Sequence, residues 1–151
     1  MNKPCKLCGS TFLAKGGGGR RVRCDVCYPI FRQARTLYYS ILNRTKKSKL
    51  ECDLTPDFIE QNLRLPCSKT GKKFVLYPEL KSRNYSNREP YSASIDRIDN
   101  NRGYTKDNVQ FVCWIYNLCK NNWTDKEVLD FCQTLVNSFT IKNANVGVQT
   151  D

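Results

Sequence analysis

Histidine is absent from this chain of 151 residues. Since imidazole is the commonest metal ligand and general base, its absence excludes two-cysteine, two-histidine zinc sites and any mechanism that needs a histidine base. The sequence also has no apolar run long enough to cross a bilayer, and no signal peptide follows Met1. We therefore expect an intracellular protein whose thiols stay reduced.

Acidic residues are scarce relative to basic ones. Lys and Arg number 25 against 14 Asp and Glu, which gives a formal net charge of +11. A surplus of this size on a short chain favours a polyanionic partner. A membrane surface would require an amphipathic anchor or a lipidation motif, and the sequence shows neither. We therefore expect nucleic acid, and no membrane, as the partner.

Four of the nine cysteines form two closely spaced pairs. Cys5 and Cys8 are separated by two residues, as are Cys24 and Cys27, and fifteen residues lie between the pairs. This spacing is typical of a four-cysteine zinc knuckle, because each pair can turn both thiolates toward one ion. Such a zinc would be structural, since four thiolates leave no position for water. The alternative is that the four thiols are small buried apolar side chains.

A basic face accompanies the cysteine pairs. Glycines at 16–19 precede several arginines, which predicts a flexible basic tip. Apolar residues at helical spacing over residues 28–49 predict an amphipathic helix with arginines on its far side. A short helix with a lysine near its end is expected after residue 113. The residues expected to contact DNA are Arg20, Arg21, Arg23, Arg32, Arg35, Arg44 and Lys120.

The segment SIDRIDNNRGYTKDN, residues 94–108, concentrates three carboxylates and two arginines. Alternation predicts strands over 93–98 and 109–113, joined by a loop and followed by a short helix. This compact unit can bring Asp96 close to Asn117, and their oxygen atoms suit Mg²⁺ or Mn²⁺. Arg97 could then grip a phosphate, and Asn108 could pin the loop to the first strand. The alternative is an ordinary hairpin in which Asp and Asn serve as turn formers.

The block SIDRIDNNRGYTKDNVQFVCWIYNLCKNNW, residues 94–123, resembles the ββα-metal motif of HNH (His-Me finger) endonucleases. It is most similar to a branch, common in phage-encoded proteins, with the signature DRID…GYT.DNV. The upstream residues 42–74 resemble the same branch, and the cysteine pairs add a layout similar to HNH restriction enzymes with zinc modules. The resemblance implies that Asp96 and Asn117 hold the catalytic ion and that Arg97 replaces the usual histidine. Asn108 would be the middle asparagine of the motif.

The resemblance implies a small α+β protein with a zinc-stabilised ββα-metal nuclease core and flanking helices. Its domains would be a zinc knuckle at 1–28 and a nuclease domain with a basic helix at 29–140. Because the apolar periodicity stops after Phe139, we expect residues 141–151 to be a mobile tail. The implied activity is a DNA endonuclease that hydrolyses phosphodiester bonds with one Mg²⁺ or Mn²⁺ ion, in the cytoplasm of a bacterial or phage-infected cell. The alternative is a catalytically silent zinc-containing module that binds DNA. A homodimer is expected if both strands are cut symmetrically.

Two features of the implied site stay open at this point. A second zinc would have Cys67 and Cys113 as ligands, with Cys119 as a further candidate. The general base has no histidine to supply it, so a metal-bound water, a substrate phosphate or a tyrosine could take the role. The candidate tyrosines are Tyr38, Tyr39, Tyr85, Tyr91 and Tyr104.

Overall fold

The structure is a computed structural model and describes residues 2–13, 22–76 and 89–146, with the side chains described up to residue 140. In chain order its elements are β1 (Asn2–Pro4), β2 (Thr11–Leu13), α1 (Tyr28–Ser48), α2 (Pro56–Asn62), β3 (Ala93–Arg97), β4 (Val109–Cys113), α3 (Trp114–Lys120) and α4 (Asp125–Val146). The small sheets and the separate helices confirm the predicted α+β class.

The first helix lies against the main core along one stripe. Ala34, Leu37 and Ile41 recur every three or four residues and are buried, as the helical period requires. The helix ends at Ser48, and its C-cap Lys49 has a positive φ of 55°, the left-handed conformation that commonly stops a helix. The opposite side of α1 stays exposed and carries basic residues.

The second helix begins where the sequence predicts it. The Thr55 side chain caps α2 by accepting a hydrogen bond from the Phe58 backbone N–H at 3.2 Å. Pro56 occupies the first helical position, where its missing N–H costs nothing. Ile59 and Leu63 then face the same core as α1. The helix therefore packs against the core side of the β3–β4 sheet, where the Phe58 ring lies beside the Phe111 ring.

Strands β3 and β4 form an antiparallel pair in which Ala93 lies opposite Cys113 and Arg97 opposite Val109. Ile95 and Phe111 are direct partners in this register, and both are buried in the main core. Helix α3 follows β4 without a loop, and the Trp114 N–H donates to the Ser92 carbonyl at 2.8 Å. The predicted strand, loop, strand and helix are thus present in one compact arrangement.

The last helix carries the predicted capping box. The Thr124 N–H donates to Glu127 Oε2 at 2.7 Å, and the Glu127 N–H donates to Thr124 Oγ1 at 3.3 Å. The helix continues to Val146, into the segment predicted to be a tail from residue 141. Residues 147–151 lie outside the described residues. Within the part of the chain that is described, no helix is both long and apolar enough to span a bilayer.

The described residues fall into two compact units, one within Met1–Asn117 and the other within Leu118–Asp151. The four paired cysteines therefore belong to the same unit as β3 and β4. A buried ion pair described below joins Arg23, between these cysteines, to α2 of the same unit. The predicted boundary after residue 28 stays a prediction.

Candidate metal and catalytic centre

The four paired cysteines meet at one point. The sulfur atoms of Cys5, Cys8, Cys24 and Cys27 all lie within 4.8 Å of one another. All but Cys8 are buried. Residues 2–13 and 22–27 around them are called the cysteine module below. Four thiolates are the ligand set of structural zinc sites, so this cluster can hold a metal ion of that kind.

Backbone hydrogen bonds turn the first cysteine pair inward. The Gly9 N–H donates to the Cys5 carbonyl at 2.9 Å, and the Cys5 N–H donates to the Ser10 carbonyl at 2.9 Å. Gly9 has a φ of 74°, which favours glycine because a side chain there would be strained. On the other side, the Tyr28 N–H donates to the Cys24 carbonyl at 2.9 Å as α1 begins. The module is thus built from a turn and a helix start.

Two of the paired thiols have pKa values shifted in opposite directions. Burial raises the pKa of Cys5, but backbone hydrogen bonds from Cys24, Cys8 and Leu7 outweigh it and lower the pKa to about 6. Burial, with the neighbouring thiols, raises the pKa of Cys27 above its ordinary value. Clustered thiols resist becoming thiolates together unless a cation neutralises them, so the cluster is suited to a cation.

Arg23 does not lie at an exposed basic tip. Its Nη2 donates to Glu60 Oε2 on α2 at 2.6 Å, its Nε donates to Glu60 Oε1, and both side chains are buried. The guanidinium also lies over the Phe31 ring, 5.3 Å from its centroid. This two-pronged ion pair takes Arg23 out of the predicted DNA surface and fastens the cysteine module to α2. No local sequence pattern identifies Glu60 as the partner of Arg23.

The other predicted DNA contacts are distributed unevenly. Arg35 and Arg44 are exposed on α1, and Arg32 is half-buried. Arg35 Nη2 donates to the Tyr39 hydroxyl at 2.8 Å, which holds both side chains on that face. Lys120 is 1% exposed and is therefore not at the surface. Arg20 and Arg21 lie outside the described residues.

Asp96 is buried near the end of β3, with 4% of its surface exposed. Its cross-strand partner in the register is Gln110 on β4. The Gln110 Nε2 donates to Asp96 Oδ2 at 2.8 Å and orients the carboxylate. Gln110 was missed in the sequence, although the hairpin register that pairs it with Asp96 could have identified it. The loop and hairpin around Asp96, residues 92–117, are called the hairpin centre below.

Asn117 reaches the same strand from α3. Its Nδ2 donates to Ser94 Oγ at 2.7 Å and to the Ile95 carbonyl at 3.4 Å. Ser94 and Asp96 are two residues apart on one face of β3, so their Cα atoms are about 7 Å apart. The structure therefore brings Asn117 to the face of the strand that carries Asp96.

Arg97 follows Asp96 in the chain and is the last residue of β3. Its guanidinium lies over the ring of Tyr104, 5.2 Å from the centroid. Arg97 Nη1 also donates to the Arg102 carbonyl at 3.0 Å. Of the candidate tyrosines, Tyr104 is thus beside Arg97 and buried. Tyr85 lies outside the described residues.

Asn108 closes the loop of the hairpin centre. Its Nδ2 donates to the carbonyls of Asp99 and Gly103 at 3.0 and 2.9 Å, and its Oδ1 accepts from the Asp99 N–H at 2.9 Å. The Ile98 N–H also donates to the Asn108 carbonyl at 2.9 Å. The side chain is buried. These bonds close the loop next to the end of β3, and the role of Asn108 in pinning the loop to the strand stays a prediction.

The loop is also attached to the segment before α2. The Tyr104 N–H donates to the Glu51 carbonyl at 2.9 Å, and the Lys106 N–H donates to Asp53 Oδ1 at 2.9 Å. Gly103 allows this approach, since a Cβ on it would lie 2.3 Å from the Glu51 carbonyl oxygen. The glycine is required for the backbones to meet.

Cys67 and Cys113 meet in a separate buried cluster. The Cys113 N–H donates to the Cys67 sulfur at 3.3 Å. Burial raises the pKa of Cys113, and hydrogen bonding with the Cys67 thiol raises it further. Cys119 is exposed. Only one group of three or more Cys, Asp or Glu side chains within residues 2–13, 22–76 and 89–146 has its ligand atoms close enough to hold one metal ion. That group is the four paired cysteines.

Comparison with known proteins gives one finding about the fold. No protein-family model and no curated protein matches this chain. A solved structure of the rare-cutting HNH restriction endonuclease PacI is similar, with a TM-score of 0.51. The match covers 93% of this chain and 97% of that chain, at 15% sequence identity. At this identity the similarity concerns the fold alone, and the chain therefore has an HNH-like fold.

Proposed function

We propose that this protein is a metal-dependent DNA endonuclease that hydrolyses phosphodiester bonds at the hairpin centre. The observation that carries the proposal is the hydrogen bond from Asn117 to Ser94, which holds an amide from α3 on the Asp96 face of β3. A strand carboxylate and a helix amide on one surface, within an HNH-like fold, are a suitable pair of ligands for one divalent ion.

The donor set of Asp96 and Asn117 fits Mg²⁺ or Mn²⁺. Both side chains offer hard oxygen atoms, which these ions prefer. Asn117 uses its amide nitrogen to bond Ser94 and Ile95, and among the described residues none donates a hydrogen bond to its oxygen. Gln110 holds the Asp96 carboxylate in place. A bound ion would supply charge neutralisation at the scissile phosphate and activation of water.

Arg97 is the residue proposed to contact the scissile phosphate. Its guanidinium is held by the Tyr104 ring and the Arg102 carbonyl, so little side-chain entropy would be lost on binding. A guanidinium has five N–H donors in one plane, a geometry that matches pairs of phosphate oxygens. Arg97 would then stabilise negative charge that develops on the phosphate during hydrolysis.

The exposed side of α1 is the proposed DNA-tracking surface. Arg35, Arg44, Lys46 and Lys47 are exposed along this helix. Contacts of this kind bind phosphates of any sequence and release counterions, so affinity should fall steeply as salt rises. The cysteine module, with a structural zinc, would hold the start of α1 in place.

Cleavage of supercoiled plasmid with Mg²⁺ or Mn²⁺ tests the proposal. Asp96→Ala and Asn117→Ala should each lower the nicking rate by about 100-fold or more, because the ion loses a ligand. Asp107→Asn is the matched control, since it alters an exposed carboxylate in the same loop that pairs with Arg102. Full Mg²⁺-dependent activity in the Asp96 and Asn117 variants would contradict the site assignment.

A catalytically silent DNA-binding module is the second candidate. The observation that favours it is the absence of histidine, which leaves arginine at the position of the usual base. This candidate predicts salt-sensitive binding of plasmid without nicking by Mg²⁺ or Mn²⁺, with the result unchanged by EDTA. Nicking that EDTA abolishes would exclude it.

A further inference from the structure

The turn at Cys67 repeats the turn at Cys5. In the first turn, the Gly9 N–H donates to the Cys5 carbonyl and the Cys5 N–H donates to the Ser10 carbonyl, both at 2.9 Å. In the second, the Gly71 N–H donates to the Cys67 carbonyl and the Cys67 N–H donates to the Lys72 carbonyl, again at 2.9 Å. Gly71 has a φ of 68°, close to the 74° of Gly9. The backbone at Cys67 is therefore a second knuckle.

In both knuckles, the remaining cysteines lie directly before a helix. Cys24 and Cys27 immediately precede α1, and Cys113 immediately precedes α3. The Ser68 N–H donates to the Phe111 carbonyl at 3.0 Å and joins the Cys67 turn to β4. Each knuckle thus pairs a glycine-ended turn with a cysteine at the start of a helix.

The ligand positions of the two knuckles differ. The first knuckle has a second cysteine three residues after each leading one, at Cys8 and Cys27. The second knuckle has Thr70 and Tyr116 at those positions. Thr70 forms a side-chain hydrogen bond with the Cys67 sulfur, and Tyr116 packs against the thiol pair. Two thiols and two hydroxyls do not make the four-thiolate set that holds structural zinc.

We propose that Cys67 and Cys113 form a redox-active thiol pair, converted to a disulfide by a peroxide, in a knuckle that keeps its shape without zinc. The two thiols are neighbours within hydrogen-bonding distance of each other, which gives a high effective concentration for the second step. The protein hydrogen bonds around Cys67 hold the turn where a metal would otherwise do so.

The chemistry needs one equivalent of hydrogen peroxide. The Cys67 thiolate attacks a peroxide oxygen and breaks the O–O bond, giving a sulfenic acid and hydroxide. The Cys113 sulfur then displaces the sulfenic oxygen, which leaves as water, and the released thiol protons convert hydroxide to water. Two thiols are oxidised by two electrons, one peroxide is reduced, and two water molecules form. The Cys67–Cys113 bond fastens the turn to the end of β4.

Peptide mapping of the zinc-loaded full chain tests the proposal. The background should carry Cys119→Ser and Cys132→Ser, because these exposed thiols can link separate molecules. After treatment with hydrogen peroxide, alkylation and digestion without reductant, we expect a peptide that joins Cys67 to Cys113 and is released by dithiothreitol. The bound zinc should be one per chain before and after treatment.

Variants and stoichiometry decide the outcome. Cys67→Ser and Cys113→Ser should each abolish the linked peptide, whereas Cys52→Ser should leave it unchanged. If either serine variant fails to fold, the chain that carries only Cys119→Ser and Cys132→Ser still decides the question, because the linked peptide is either recovered from it or not. Cys67 and Cys113 recovered as separate alkylated peptides would overturn the proposal, and so would a second zinc that protects them both.

Discussion

The cysteine module and the hairpin centre achieve order in different ways. The module buries a small cluster in which Phe12 is joined by three of the four paired cysteines. The hairpin centre rests on a core of ten buried residues drawn from α1, α2, β3, β4 and the segments between them. A module with so little apolar surface would depend on a bound metal ion for stability, whereas the hairpin centre depends on packing and hydrogen bonds.

Removal of zinc should produce the largest difference in stability between the two regions. Structural zinc contributes on the order of 10 kcal/mol to a folded knuckle, so a chelator should unfold the cysteine module first. We expect loss of protection in hydrogen exchange over residues 2–13 and 22–27, while β3 and β4 keep theirs. Metal analysis before treatment should find at least one zinc per chain. Equal loss of protection in both regions would show that they are one cooperative unit.

The Glu60→Gln substitution tests the ion pair that attaches the cysteine module to α2. It leaves the buried Arg23 guanidinium without its countercharge, which costs about 3–5 kcal/mol of unfolding free energy. Urea unfolding measures the loss. Asp57→Asn is the matched control on the same helix, because Asp57 is 84% exposed and its Oδ1 lies 3.9 Å from Arg23. Equal effects of both substitutions would show that the buried pair has no special role.

The Gly103→Ala substitution tests the hairpin centre alone. The new Cβ would overlap the Glu51 carbonyl, so the loop must move away, at a cost of about 1–3 kcal/mol. The loss should appear in urea unfolding and, if the proposed function holds, as slower plasmid nicking. Asn101→Ala, an exposed change in the same loop, should leave both unchanged. A stable and fully active Gly103 variant would contradict the close approach.

The Thr124→Ala substitution should have the smallest effect. It removes the cap of α4 and should lower the free energy of unfolding by about 1 kcal/mol. Because α4 belongs to the other compact unit, neither zinc content nor nicking should change. Circular dichroism and thermal unfolding measure the helix loss. An effect on zinc content would link α4 to the cysteine module.

Local signals predicted much of this structure. The Thr55 and Thr124 caps and the strand–loop–strand–helix order follow from short-range patterns, and the structure has them. The cysteine spacing predicted the four-thiol cluster, because a metal knuckle is defined by spacing. The roles of Asp96 and Asn117 in catalysis stay predictions, although the hydrogen bonds place both on one surface.

Long-range partners could not be predicted in the same way. Arg23 resembles any surface arginine in sequence, and its partner Glu60 is 37 residues away. The end of α4 was also placed too early, because the apolar period stops at residue 139 while backbone hydrogen bonds continue the helix.

The attachment of the hairpin loop to Glu51 and Asp53 has a consequence for how this loop could be lengthened. Residues 103–108 are fixed from both sides, by Asn108 and by the segment before α2. Asn100 and Asn101 form a turn at the tip of the loop, outside the attached residues 103–108. Inserted residues should therefore be accommodated at the tip at a small entropic cost, whereas an insertion three residues later would break the register of the whole hairpin.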